Sequence, residues 1–127
     1  MRRVLVWLTP TGWEACVEAA RDLGEVTLLQ VGEPGPEPVG LLGRRPPPRE
    51  PLAVDEELFD AAQARLGRPA ARVTPPGRPE HAVVEAAEKF DLLVLSRTNL
   101  NPGPHSLGHA TRFVVDHAPS AILLVWP

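Results

Sequence analysis

The side chains of this sequence that could bind or transform a ligand are His81, His105, His109, His117, Cys16, Ser96, Ser106 and Arg97, with Gly103 and Gly108 close by. His105 and His109 are four residues apart, the spacing of two metal ligands on one helix face. His105, however, falls in a loop with Pro102 and Pro104, and no nearby acid completes a ligand set, so no metal is expected. His117 belongs to an apolar helix face and reads as a packed or hydrogen-bonded histidine. Cys16 recurs with Ala19, Ala20 and Leu23 on a helical stripe, the place of a small core hydrophobe rather than a nucleophile. Neither Ser96 nor Ser106 lies in a Gly-x-Ser-x-Gly elbow, and Ser106 is expected to cap the helix that follows it. No catalytic set assembles from these residues, and the chain is not expected to be an enzyme. Anion binding is the chemistry left open, because Arg97 precedes a loop running into a helix whose first N–H groups are free.

The elements that must position these groups follow from composition and periodicity. The chain has 127 residues, 43% hydrophobic and 23% charged, with a formal net charge of −3. This fits one soluble globular domain, without the basic footprint of a nucleic-acid binder. The apolar run Val4–Leu8 is too short for a secretory h-region, and no stretch approaches a membrane span, so no membrane partner is expected. A single cysteine rules out an internal disulfide and fits a reducing cytoplasm. Sixteen prolines mark the loops.

Continuous apolar runs at Val4–Leu8, Val26–Val31, Asp91–Ser96 and Ala121–Trp126 predict strands covered on both faces, with a short, weak strand at Ala70–Thr74. Between them lie four predicted helices. The first runs Trp13–Leu23 and stops at Gly24. The second is capped by Asp55, carries Leu58, Ala62 and Leu66 on one face, and ends at Gly67. The third runs from about Pro79 to Phe90, and the fourth starts near Gly108 with Ala110, Phe113, Val114 and His117 on one face until Pro119 stops it. Residues 32–53 form a long proline-rich loop whose Arg44, Arg45 and Arg49 read as a solvated cluster. The string predicts an α/β fold: a single-domain open parallel five-stranded sheet, doubly wound, with helices on both faces and strand order 3-2-1-4-5.

Such sheets bind ligands outside the carboxyl ends of their strands, where the strand order reverses. That directs attention to Thr9–Gly12 and Ser96–Leu107. The chain here resembles the universal stress protein family over nearly its whole length. The resemblance is carried by Arg3-Val-Leu-Val-Trp-Leu-Thr9, by Ala82–Leu95, and by Leu107-Gly-His-Ala-Thr-Arg-Phe-Val-Val-Asp-His-Ala-Pro-Ser-Ala-Ile-Leu-Leu-Val125. ATP-binding members of that family carry Gly-x-x-Gly, nine further residues, then Gly-Ser or Gly-Thr. In this chain the corresponding positions are Leu95, Thr98, Gly108 and His109, and Thr9 stands where those members place an aspartate. The resemblance therefore implies a stress-response protein with a degenerate ATP motif and no tightly held cofactor. Its bulky atoms at 95 and 98 are expected to fill ligand space. The alternative is weak ATP or AMP binding, with phosphates on Arg97, Thr98, Gly108, His109 and Ala110 and the base between Leu8, Thr9 and Val31. The final strand ends in Trp126 and has an edge that needs covering. The resemblance implies a dimer, and a homodimer through the fifth strand is expected, with a further protein partner open.

Overall fold

A computed structural model describes residues 2–32 and 54–127. The elements run β1 (Arg3–Trp7), α1 (Trp13–Ala20), β2 (Glu25–Leu29), α2 (Glu56–Leu66), β3 (Ala71–Val73), α3 (Pro79–Ala87), β4 (Leu92–Ser96), a 3-10 turn (Pro104–Ser106), α4 (His109–His117) and β5 (Ala121–Val125). All strand pairs are parallel and the order is β3-β2-β1-β4-β5, as expected. The expected proline-rich loop lies outside the described residues apart from Gly32.

The sheet is covered on both sides, which is why its strands read as unbroken apolar runs. Alternate residues feed two cores. Val4, Val6, Val26, Leu28, Leu92 and Val94 pack with Cys16 and Val17 of α1 and with Phe59, Ala62 and Leu66 of α2. Leu5, Trp7, Leu29, Leu93 and Leu95 pack with Val83 and Ala87 of α3 and Val114 of α4. On α2 the expected Ala62 and Leu66 are buried and Leu58 packs partly buried beside them, while Phe59, not named in the expected stripe, is also buried. Asp55 caps α2 by accepting from Leu58 N at 3.1 Å, and Gly67 closes it in the left-handed conformation, both as expected.

Several boundaries differ from expectation, β2 ending at Leu29 rather than Val31 among them, and three have clear local reasons. Helix α1 ends at Ala20, and Leu23 N donates to Ala20 O in a turn. Gly24 (φ +152°) then passes so close to the Arg2 backbone that a Cβ would collide with the Arg2 carbonyl oxygen. Helix α3 ends at Ala87, where Glu88, Lys89 and Phe90 each donate to the carbonyl three residues back, a tightened exit turn. Strand β1 stops at Trp7, and Leu8 N still donates to Leu29 O (2.8 Å), holding the loop base against β2.

Candidate functional site

Because β1 connects outward to β2 while β4 lies on its other side, the strand order reverses between β1 and β4. The crevice at their carboxyl ends is bordered by residues 8–12 and 96–108. On the β1 side, Thr9 Oγ1 donates to Thr11 O (2.8 Å) and tightens the turn. Gly12, the N-cap of α1, has φ +89°. A Cβ there would collide with Ser96 Oγ and sit 3.1 Å from Pro127 Cβ. The first loop is thus pressed directly onto the end of β4, a contact only glycine permits.

The β4 side is held by bonds within its own loop and by one to the end of β5. Ser96 Oγ donates to Arg97 O (2.7 Å), and Arg97 N donates to Val125 O (2.8 Å). Thr98 N donates to Ser106 O (2.7 Å), Asn99 Nδ2 donates to His105 O (2.8 Å), and Asn101 N donates to Asn99 Oδ1 (3.0 Å). Gly108 N donates to Thr98 Oγ1 at 2.6 Å, so the chain's own hydroxyl takes an N–H at the entrance to α4. Arg97 donates through Nη1 to Ser106 Oγ (2.7 Å), and its Cζ lies 4.3 Å from the centre of the Trp126 ring. Its Nε is buried and has no partner.

The predicted site residues divide sharply. Arg97, Thr98 and Gly108 come together, with His109 exposed at the first position of α4. Leu95 is 1% exposed, in the core with Leu93 and Val114, and so is not a crevice wall. Leu8 is 3% exposed and belongs to the α1/α2-side core, whereas Val31 packs on the α3/α4 side with Ala110. Leu8 and Val31 therefore do not face each other across a base-sized slot. Ser106 does not cap α4: the 3-10 turn buries it beneath Arg97, and the N-cap is Gly108, with no side-chain cap. Trp126 and Pro127 were not among the predicted site residues, and Gly12 entered only as the end of the Thr9–Gly12 loop. Their contacts join segments far apart in sequence, and the only local signal was the glycine at the start of α1.

The other reactive groups are accounted for by packing. Cys16 is fully buried, and burial, aided by the nearby Glu14 charge, pushes its thiol up to about 12. The ring of His117 stacks on Phe113 (4.0 Å between centroids) and its Nδ1–H donates to Phe113 O (2.8 Å). His81 meets the same Phe113 edge-on at 4.8 Å. Among the described residues no three His, Cys, Asp or Glu side chains are grouped to hold a metal. Two open hollows, of about 370 and 530 Å³, lie away from the crevice. The first is rimmed by Asp60, Gln63, Arg68 and Arg72, and the second by Arg2, Asp91, Leu92 and Ala121. Arg68 and Arg72 already bond to neighbouring protein groups, and we read the first hollow as solvated surface.

No family model and no curated protein matches the sequence. Solved structures do match. A universal stress protein in complex with cAMP superposes with a TM-score of 0.65 at 20% identity, covering 98% of this chain and 96% of that one. The fold is that of the universal stress proteins. A universal stress protein from Archaeoglobus fulgidus gives 0.64 at 16% identity, covering 98% of both chains. Another, from Archaeoglobus fulgidus DSM 4304, gives 0.63 at 17% identity, and there 98% of this chain spans 44% of the longer protein.

Proposed function

We propose that the chain is a stress-response protein similar to the universal stress proteins: a single cytoplasmic domain that works as a dimeric binding module, is not an enzyme, and holds ATP only weakly. The observation that carries this reading is the bond from Gly108 N to Thr98 Oγ1 at 2.6 Å. A nucleotide phosphate would use the free N–H groups at a helix entrance, and here a hydroxyl of the same chain competes for one of them. Pro102 and Pro104 offer no N–H in the same loop, and Gly12 is packed on Ser96. No helix among the described residues is long and apolar enough to cross a membrane. The dimer is supported by β5, a five-residue aliphatic edge strand followed by Trp126, which is 43% exposed.

Calorimetry with ATP, ADP and AMP tests the reading. The expected result is affinity no tighter than millimolar for all three. Micromolar affinity for any of them would replace it with the second reading, a nucleotide sensor with a modified phosphate loop. The cAMP bound by a similarly folded universal stress protein favours that alternative.

A further inference from the structure

The larger hollow, about 530 Å³, lies at the opposite end of the sheet from the crevice, where β1, β4 and β5 begin. Parallel pairing sets Val4, Leu92 and Ala121 in one row across the three strands. Val4 and Leu92 belong to the α1/α2-side core, and Leu123, two residues beyond Ala121, packs on the same side. With the two-residue period of a strand, Leu92 and Ala121 give the hollow an apolar floor on that face. The rim is completed by two charged residues, Arg2 and Asp91, whose backbones are held in place. Arg2 O accepts from Glu25 N (2.9 Å), Asp91 N donates to Arg3 O (2.9 Å), and Asp91 O accepts from Ala121 N (3.3 Å). One oxygen of the Asp91 carboxylate, Oδ2, accepts from Arg3 N (2.8 Å), while Oδ1 has no partner among the described residues. Arg21, Arg65 and Arg72 pair with acids, and Arg68 bonds to two backbone carbonyls. The Arg2 guanidinium makes no hydrogen bond or ion pair with any described residue, Asp91 included.

We propose that this hollow binds a small aliphatic zwitterion of the amino-acid class. Its carboxylate takes the guanidinium fork of Arg2, its ammonium takes Asp91 Oδ1, and its alkyl body lies on Leu92 and Ala121. A cation and an anion held apart over an aliphatic floor are the complement of a molecule carrying both charges and an apolar body. A simple anion gains Arg2 but is repelled by Asp91, and a simple cation meets the reverse, so the pair selects for both charges together. This site shares no residue with the crevice and stands apart from the reading of it.

The test is an NMR titration of the full-length protein, following the backbone amides of Leu92 and Ala121. The probes are L-leucine and 6-aminohexanoate, which holds the same two charges farther apart. Saturable shifts are expected with at least one of them, and the tighter binder defines the charge spacing. The half-ligands 4-methylpentanoate and 3-methylbutylamine, each keeping one charge, should bind about tenfold more weakly. Arg2→Gln and Asp91→Asn, the latter keeping an acceptor for Arg3 N, should each weaken the zwitterion about tenfold. Lys89→Gln, which removes a nearby cation that does not line the hollow, should leave binding unchanged. No saturable shift with either zwitterion overturns the proposal, as do half-ligands that bind equally well or a folded Arg2→Gln that binds like the wild type. Should a variant fail to fold by circular dichroism, the half-ligand comparison on the wild type decides.

Discussion

The two edges of the sheet are built on opposite plans. Strand β3 has three residues, is largely exposed, and carries Arg72, whose side chain bonds to Asp60 at 2.9 Å and Gln63 at 3.3 Å and lies over the Phe59 ring at 5.4 Å. Strand β5 has five aliphatic residues and no charge. Ile122 and Leu124 lean on the α3/α4 core and Leu123 and Val125 on the α1/α2 core, all only partly buried. Short length and an inwardly tied arginine are devices that keep an edge from pairing with another chain. The fifth strand has none of them, so its open ladder is a surface suited to a second copy.

The largest effect is expected from Leu123→Lys, which gives β5 the charge that its counterpart has. The proposed dimer should dissociate at least a hundredfold more readily in sedimentation equilibrium, with the monomer still folded by circular dichroism. Unchanged association would remove β5 from the interface. Phe59→Ala strikes the core beneath the protected edge. It should cost about 3–5 kcal/mol in urea unfolding, since a fully buried aromatic is lost and Arg72 loses its platform. Arg72→Val sharpens the comparison from the other side. By making β3 apolar it should produce association beyond the dimer at high concentration, which light scattering would detect. Arg72→Ala should cost less than about 1 kcal/mol, as its ion pairs involve exposed carboxylates.

The smallest effect comes from pH. The Cys16 thiol is raised in the folded chain from 9.0 to about 12, so the stability it contributes is complete below pH 9 and is lost as pH climbs through that window. Denaturation midpoints should fall above pH 9 in the wild type and fall less in Cys16→Ala.

Much of this architecture was legible from residue order alone. Apolar runs without alternation marked strands buried on both faces, and stripes at helical spacing gave all four helices. Helix ends were less legible, because α1 and α3 finish in tight turns that continue the apolar spacing to Leu23 and Phe90 without continuing the helix. At the candidate site, Gly108 N donates to Thr98 Oγ1, two positions that the motif spacing singles out. Leu95 was misread as a crevice wall, although it is two residues from the core residue Leu93 and so faces the same side of β4. The seating of Gly12 on Ser96 and Pro127, and of Arg97 under Trp126, depends on contacts between residues 29 to 115 positions apart, and no local pattern encodes them.

The sequestered sulfur of Cys16 has a practical corollary. A probe-bearing cysteine placed at Leu123 or Trp126 would be the one thiol that maleimide reagents reach at neutral pH. Spin labels or fluorophores could then be attached to the unassigned edge without first removing the native residue.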